Sequence, residues 1–194
     1  MLPLQGYNIQ GSNTYGNYQY SDGSIMCWIP RFYYKISTNN VSIKGMETYK
    51  DETGANVDGY ALHRAFIDGG TEQQGFFIDK YMCSKNALGA GYIASSIKDG
   101  LPISTAAAHN PIADLTACAT NNYYQVITAA HARDGVDGAV NPSSIFNSTS
   151  KFQTAALALL SLAHGQAVSS TTYCAWYDAT YNYPKGCNNN ALKD

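Results

Sequence analysis

The pattern of apolar and polar positions changes character several times along the chain. Residues 1–24 carry Gly, Asn, Gln and Tyr, as in Gly6-Tyr7-Asn8 and Tyr15-Gly16-Asn17-Tyr18, without a helical period, which predicts an extended N-terminal arm or a loosely packed lead-in. Residues 25–36 are dense in aromatic and branched side chains, the composition of a strand. Pro30 lies among them with no amide proton to give to a ladder, so it marks an edge, a bulge or a break between two short strands. Residues 37–58 are polar, and Asn39-Asn40 and Asp58-Gly59 are turn signals. A second strand is predicted over 75–82, after Gly69-Gly70, and the small, polar residues 89–108 read as mostly loop.

Helical spacing follows. Asn110-Pro111 sets a capping residue before a proline at the first helical position, with Ile112, Leu115 and Ala119 on one face. A second helix is predicted over 122–134, where Tyr123, Val126, Ile127 and Ala130 recur at helical spacing and Gly135 is the stop. The third opens on Ser150-Lys151-Phe152-Gln153, a capping box. Phe152, Ala156, Leu159, Leu160 and Ala163 share its face, and Gly165 is its expected end. Residues 171–194 are aromatic and Asn-rich without a period. Strands followed by helices predict an α+β fold rather than a doubly wound sheet. The loop-like ending through Cys187 and Asn188 to Asp194 leaves that fold without a closing strand, so it is expected to be incomplete at the C-terminus.

Composition narrows the function more than the fold. The 194 residues hold 12 Lys and Arg against 14 Asp and Glu, a net charge of −2. That balance argues against a nucleic-acid binder, whose affinity would rest on a basic surface, and against a polybasic membrane attachment. Only 13% of residues are charged, about half the usual share. With 45% hydrophobic content a core is available, and 16 Tyr with abundant Asn, Ser and Gly leave a neutral, tyrosine-bearing surface of the kind that recognition surfaces use. The N-terminus lacks the basic and apolar regions of a secretory signal, and the longest apolar run, 155–160, is too short for membrane insertion. The five cysteines, Cys27, Cys83, Cys118, Cys174 and Cys187, are odd in number, widely spaced and without a C-x-x-C pair, which predicts free thiols, with a Cys174–Cys187 bridge left open.

Catalytic signatures are sparse. His63, His109, His131 and His164 form no zinc motif, and no G-x-S-x-G elbow supports pairing His164 with Asp178. Asp134-Gly135-Val136-Asp137-Gly138 has the look of half a calcium loop but lacks the ligand spacing and closing Glu. No cofactor or metal is expected. The ligand-contact candidates lie in 173–183: Trp176, Tyr177, Asp178, Tyr181, Asn182 and Tyr183 combine stacking faces with directional hydrogen bonds.

The run Gly75-Phe76-Phe77-Ile78-Asp79-Lys80-Tyr81, with Met82-Cys83-Ser84-Lys85-Asn86 after it, resembles the first core strand of the formylglycine-generating-enzyme-like (sulfatase-modifying-factor) family, with Met82 in place of the usual Glu. The Pro111 helix, the helix ending near Gly135, and the run from Leu159 to Gln166 follow in the same order. More closely, Met26-Cys27-Trp28-Ile29-Pro30-Arg31-Phe32-Tyr33-Tyr34-Lys35-Ile36, with His63-Arg64-Ala65-Phe66-Ile67 and the Gly75 strand, resembles the C-type-lectin-fold domain of phage tail and receptor-binding proteins. The resemblance covers about residues 25–187 and implies a C-type-lectin-like domain over 25–194 behind the 1–24 arm. It implies a phage virion protein, of tail fibre or receptor-binding type, folded in the host cytoplasm and carried on the phage tail or surface. Its expected partners are a host cell-surface glycan or protein, other virion subunits and further copies of itself, without catalysis. A structural tail or capsid accessory role is one alternative. The other is a copper-dependent oxidase, since the family's enzymes use a cysteine pair near the domain's end, where Cys174 and Cys187 lie. The family's closing Asn-Gly-Asn-Val-Trp-Glu-Trp segment is absent.

Overall fold

Pro30 ends one strand and Phe32 opens the next, as a residue without an amide proton requires. In this computed structural model, which describes residues 1–10, 12–88, 91–100, 102–103, 107–110 and 123–167, β3 is Ile25–Pro30 and β4 is Phe32–Ser37. Ahead of them lie β1 (Leu2–Pro3) and β2 (Asn17–Gln19). After them come β5 (Asn40–Gly45), α1 (Glu52–Val57), β6 (Ala61–Leu62), β7 (Ile67–Asp68), β8 (Thr71–Glu72), β9 (Gly75–Asp79), β10 (Ser84–Leu88) and β11 (Gly91–Ser95). Helices α2 (Tyr123–His131) and α3 (Lys151–Ala167) complete the described elements. The result is a mixed α/β chain of small sheets, with antiparallel pairing wherever a register is defined. It divides into two units, one of Met1–Ile29 with Phe77–Thr149 and one of Pro30–Phe76 with Ser150–Asp194.

In the first unit the sheet order is β1-β2-β3-β9. Residues 1–24, expected as an arm, contribute β1 and β2 to this sheet, and Tyr7, Tyr18, Phe77 and Trp28 pack ring to ring at 4.7–5.6 Å. Residues 89–108, expected mostly as loop, instead contain β11, which pairs with β10 from Ser84↔Ser95 to Leu88↔Gly91. Buried serines explain the misreading. Ser96 donates its hydroxyl to the Ile25 carbonyl at 2.8 Å and accepts from the Tyr81 amide at 2.9 Å, while its own amide donates to Ser24 Oγ at 2.9 Å. A buried serine is tolerated in a core when its hydrogen bonds are met, as those of Ser96 are. Against Ile93 and Ala94 pack Ala129 and Ala132 of the α2 region, with Cys83 and Ile103 at the margin.

Helix α2 also turns a different face inward from the one its apolar spacing predicts. Tyr123, Tyr124 and Val126 are exposed, and the buried row is Gln125, Ala129, Ala132 and Arg133. The small alanines let the helix approach β11, and burial of Arg133 is offset by two carboxylates. The helix ends at His131, before Gly135.

In the second unit β5 and β4 form a hairpin paired from Phe32↔Gly45 to Ser37↔Asn40, with β6 on the far side of β4. Asp51 caps α1 by accepting from the Gly54 amide at 2.9 Å. Both β5 and α1 arise in the stretch that reads only as polar with turns. Gly69 and Gly70, at φ 53° and 82°, supply the two-residue turn between β7 and β8, a conformation that glycine adopts without strain. Phe32, Tyr33, Leu62, Phe66, Ala55 and Ala156 are buried here. The capping box predicted at Ser150 is present: Ser150 Oγ accepts from the Gln153 amide at 3.2 Å, and Gln153 Oε1 accepts from the Ser150 amide at 2.9 Å. Gly165 does not stop α3, which runs on to Ala167. The helix predicted from Pro111 lies outside the described residues.

Candidate functional site

Two clusters of polar side chains stand out, one in each unit. In the first unit Arg133 is clamped by two carboxylates. Its Nε meets Asp22 Oδ2 at 3.1 Å, and its Nη1 meets Asp79 Oδ1 and Oδ2 at 3.0 and 2.9 Å. The Phe146 ring lies 4.4 Å from its guanidinium carbon, and Tyr20 packs edge-on against that ring. Arg133 and Asp22 are almost wholly buried, at 4% and 1% side-chain exposure. Burial works against the guanidinium's charge, but Asp79 and Asp22 outweigh it and hold the proton more tightly than usual.

Cys83 completes this cluster by donating Sγ–H to Asp79 Oδ2 at 2.9 Å. Burial first, then the Asp79 carboxylate, pushes its thiol up to about 12. A nucleophilic or copper-binding cysteine needs the opposite shift, so Cys83 is a neutral hydrogen-bond donor here. Cys27 behaves alike: its Sγ–H donates to Asn17 Oδ1 at 3.1 Å, and burial raises its pKa. The cluster ties the loop at Asp22, strand β9 and the end of α2 into one piece.

In the second unit a row of tyrosines lies along the β5-β4-β6 sheet. Tyr33 packs edge-on and Tyr60 at a tilt against Tyr49, each with ring centroids 5.6 Å from it. Tyr49 donates its hydroxyl to Asp58 Oδ2 at 2.7 Å, and that bond, ahead of every other influence, raises its pKa to about 12. Tyr60 shares a 2.7 Å hydrogen bond with Ser42, and Lys35 Nζ sits 5.7 Å over its ring while donating to the Asp58 carbonyl at 3.0 Å. Tyr33 is buried, whereas Tyr49 and Tyr60 are half-buried beside the charges of Lys35 and Asp58. Half-exposed rings with polar tips can stack on a sugar face or an apolar side chain.

His63 Nδ1 accepts from the Ala65 amide at 3.2 Å, and burial lowers its pKa, so it stands neutral among Phe32, Tyr34 and Phe66. His164 is exposed on α3. Among the described residues no group of three or more His, Cys, Asp or Glu is placed to hold a metal ion. In the Asp134–Gly138 region, burial works to raise the Asp134 pKa, but hydrogen bonds from Ser144, Ile145 and Asn141 outweigh it and hold the carboxylate ionised. Its Oδ2 accepts from the Ile145 amide at 3.2 Å, the work of a turn. A shallow cleft of about 320 Å3 is lined, among the described residues, by Met1, Leu2, Gln19, Tyr20, Ser21 and Gly23.

The predicted contacts Trp176, Tyr177, Asp178, Tyr181, Asn182 and Tyr183, and the cysteines Cys118, Cys174 and Cys187, lie outside the described residues. The tyrosine row was missed because its members, Tyr33, Tyr49 and Tyr60, are scattered over β4, a loop and the lead-in to β6. The visible signal was only the count of tyrosines. No family model, no curated protein and no solved structure matches the chain. Among the described residues no helix is long and apolar enough to cross a membrane.

Proposed function

We propose that the chain is a non-catalytic phage virion protein with a C-type-lectin-like fold of the sulfatase-modifying-factor type. It recognises a host-surface glycan or protein, or a neighbouring virion subunit, through aromatic side chains and acts as part of an oligomer. The observation that carries this reading is the supply of recognition chemistry without charge: 16 tyrosines in a chain that is 13% charged, with Tyr49 and Tyr60 half-exposed beside Lys35 and Asp58. Trp176, Tyr177, Asp178, Tyr181, Asn182 and Tyr183 are the contacts assigned in the C-terminal segment, and the tyrosine row offers the same chemistry in the second unit. Multivalent display raises the avidity of weak sites of this kind.

The test is co-sedimentation of the purified protein with bacterial envelopes, beside a Tyr49→Ala/Tyr60→Ala form and a Trp176→Ala/Tyr181→Ala form. Saturable binding weakened in either variant supports recognition. Absence of binding by the unaltered protein, while particles lacking it adsorb normally, removes the adhesion reading and leaves the structural accessory role.

A further inference from the structure

The chain carries Asp-Gly pairs at Asp22-Gly23, Asp58-Gly59, Asp68-Gly69, Asp99-Gly100, Asp134-Gly135 and Asp137-Gly138. In such a pair the glycine amide nitrogen, unshielded by a Cβ, can attack the aspartyl Cγ. It does so only where both groups are free and the backbone can turn to bring them together. Hydrogen bonds prevent this at four of the pairs. Asp22 accepts from Arg133 and from the Ser24 amide, and the Gly23 amide donates to the Tyr20 carbonyl at 3.0 Å. Asp58 accepts from the Tyr49 hydroxyl and Asp134 from the Ile145 amide, while the Gly59 and Gly135 amides donate to the Asn56 and Ala132 carbonyls. The Gly100 amide donates to the Ile97 carbonyl at 3.2 Å. Asp137 is restrained by its backbone: at ψ 33° the Gly138 amide lies toward the Asp137 nitrogen and away from its side chain, and Gly138 is buried.

Asp68 has none of these restraints. It ends β7, is exposed, and precedes Gly69 and Gly70, which are exposed and where an added Cβ would meet nothing within 4 Å. Among the described residues no hydrogen bond or ion pair reaches its carboxylate or the Gly69 amide. The hairpin around it has only the pairs Ile67↔Glu72 and Asp68↔Thr71, a ladder short enough to open locally at little cost.

We propose that Asp68 is a modification site at which the chain isomerises to isoaspartate, and that the change loosens the contact between Arg31 and Glu72. The Gly69 nitrogen bonds to Cγ of the protonated Asp68 carboxyl and gives up its proton. The carboxyl hydroxyl leaves with a proton as water, which closes a five-membered succinimide. Water then opens the ring at either carbonyl. Opening at Cγ restores aspartate, whereas opening at the backbone carbon routes the main chain through Cβ and Cγ, one methylene longer. Water is released and taken up again, and no other reactant is needed. The product bares an α-carboxylate on an exposed turn, the group that an isoaspartyl-directed carboxyl methyltransferase esterifies. Strain from the longer turn passes to the core side of the hairpin. Glu72 Oε2 accepts from Arg31 Nη1 at 2.9 Å, and the Gln73 amide donates to the Phe66 carbonyl at 2.8 Å. The Arg31 side chain is only 8% exposed and its Nε has no partner, so a shifted Glu72 leaves a buried guanidinium poorly compensated. The site does not depend on host-surface recognition.

The test incubates the full chain for weeks in neutral buffer, folded and in urea, and locates isoaspartate by tryptic mapping with electron-transfer fragmentation. Cleavage after Arg64 and Lys80 releases peptide 65–80, in which Asp68-Gly69 is the only Asp-Gly pair. In the folded chain isoaspartate is expected at Asp68 at least tenfold faster than at any other pair, and in urea the pairs are expected to age alike. The aged folded chain also unfolds at lower urea than the fresh one. Asp68→Glu, whose longer side chain would have to close a six-membered ring, ages without that drop. Equal ageing of the pairs in the folded chain, a lead for another pair, or an unchanged unfolding midpoint once isoaspartate has formed at Asp68 overturns the proposal.

Discussion

Arg133 shows how far a single residue departs from what its type suggests. An arginine late in an amphipathic helix reads as a solvated side chain, yet here it is buried between Asp22 and Asp79 and under Phe146. Asp22 and Asp79 stand 111 and 54 residues from it in sequence, so no local pattern could join them. Removing one partner of a buried ion pair leaves the others uncompensated. Arg133→Met is accordingly expected to cost about 3–5 kcal/mol in urea unfolding, against a few tenths for an exposed cation. Cys83 gives a pH test with a definite sign. Its thiol stands at about 12 in the folded chain against an ordinary 9.0. The folded state thus keeps a proton that the unfolded state releases, and its contribution to stability is full below pH 9 and declines from there toward pH 12. Cys83→Ser keeps a donor to Asp79 and does not titrate in that window, so it flattens this part of the alkaline loss in a pH series of denaturation midpoints.

Elements were legible where local chemistry decides them. The strand break at Pro30, the strand opening at Gly75 and the box at Ser150 each depend on a few adjacent residues, and each is present. Ser150→Ala removes the reciprocal cap and is expected to lower stability by about 1 kcal/mol, read as a shifted denaturation midpoint with an unchanged slope. Elements were hidden where tertiary contacts decide. β11 buries Ser95 beside Ile93 and Ala94, which hydropathy scores as a weak segment. β5 is an edge strand with polar residues at alternate positions, and the inward face of α2 is made by Gln125 and the small Ala129 rather than by its larger apolar side chains, with Ala132 and Arg133 buried just past its end. Gly135 has a structural role other than that of helix stop. At φ −82° any residue fits its backbone, but an added Cβ would meet the Ala139 carbonyl. Gly135→Ala is expected to displace the 136–139 turn and to lower the thermal midpoint, with chemical-shift changes centred on Val136 and Ala139.

For the whole molecule, composition said more about the surface than about the fold. Low charge and abundant tyrosine were plain from the chain, and half-exposed tyrosines over a small antiparallel sheet are one physical form they take. The two units interleave in sequence, 1–29 with 77–149 and 30–76 with 150–194, so a boundary sought in linker composition at residue 24 does not mark that division. Each unit is closed by sequence-distant contacts: Asp22 and Asp79 with Arg133 in the first, Val41 with Gln166 in the second. The neutral aromatic surface is the feature on which the proposed role depends, and envelope binding tests it most directly. The purified chain is expected to co-sediment saturably with bacterial envelopes, with salt from 50 to 500 mM changing affinity by less than about threefold because few charges take part. Binding that collapses with added salt, or no binding while particles without the protein still adsorb, would contradict the account.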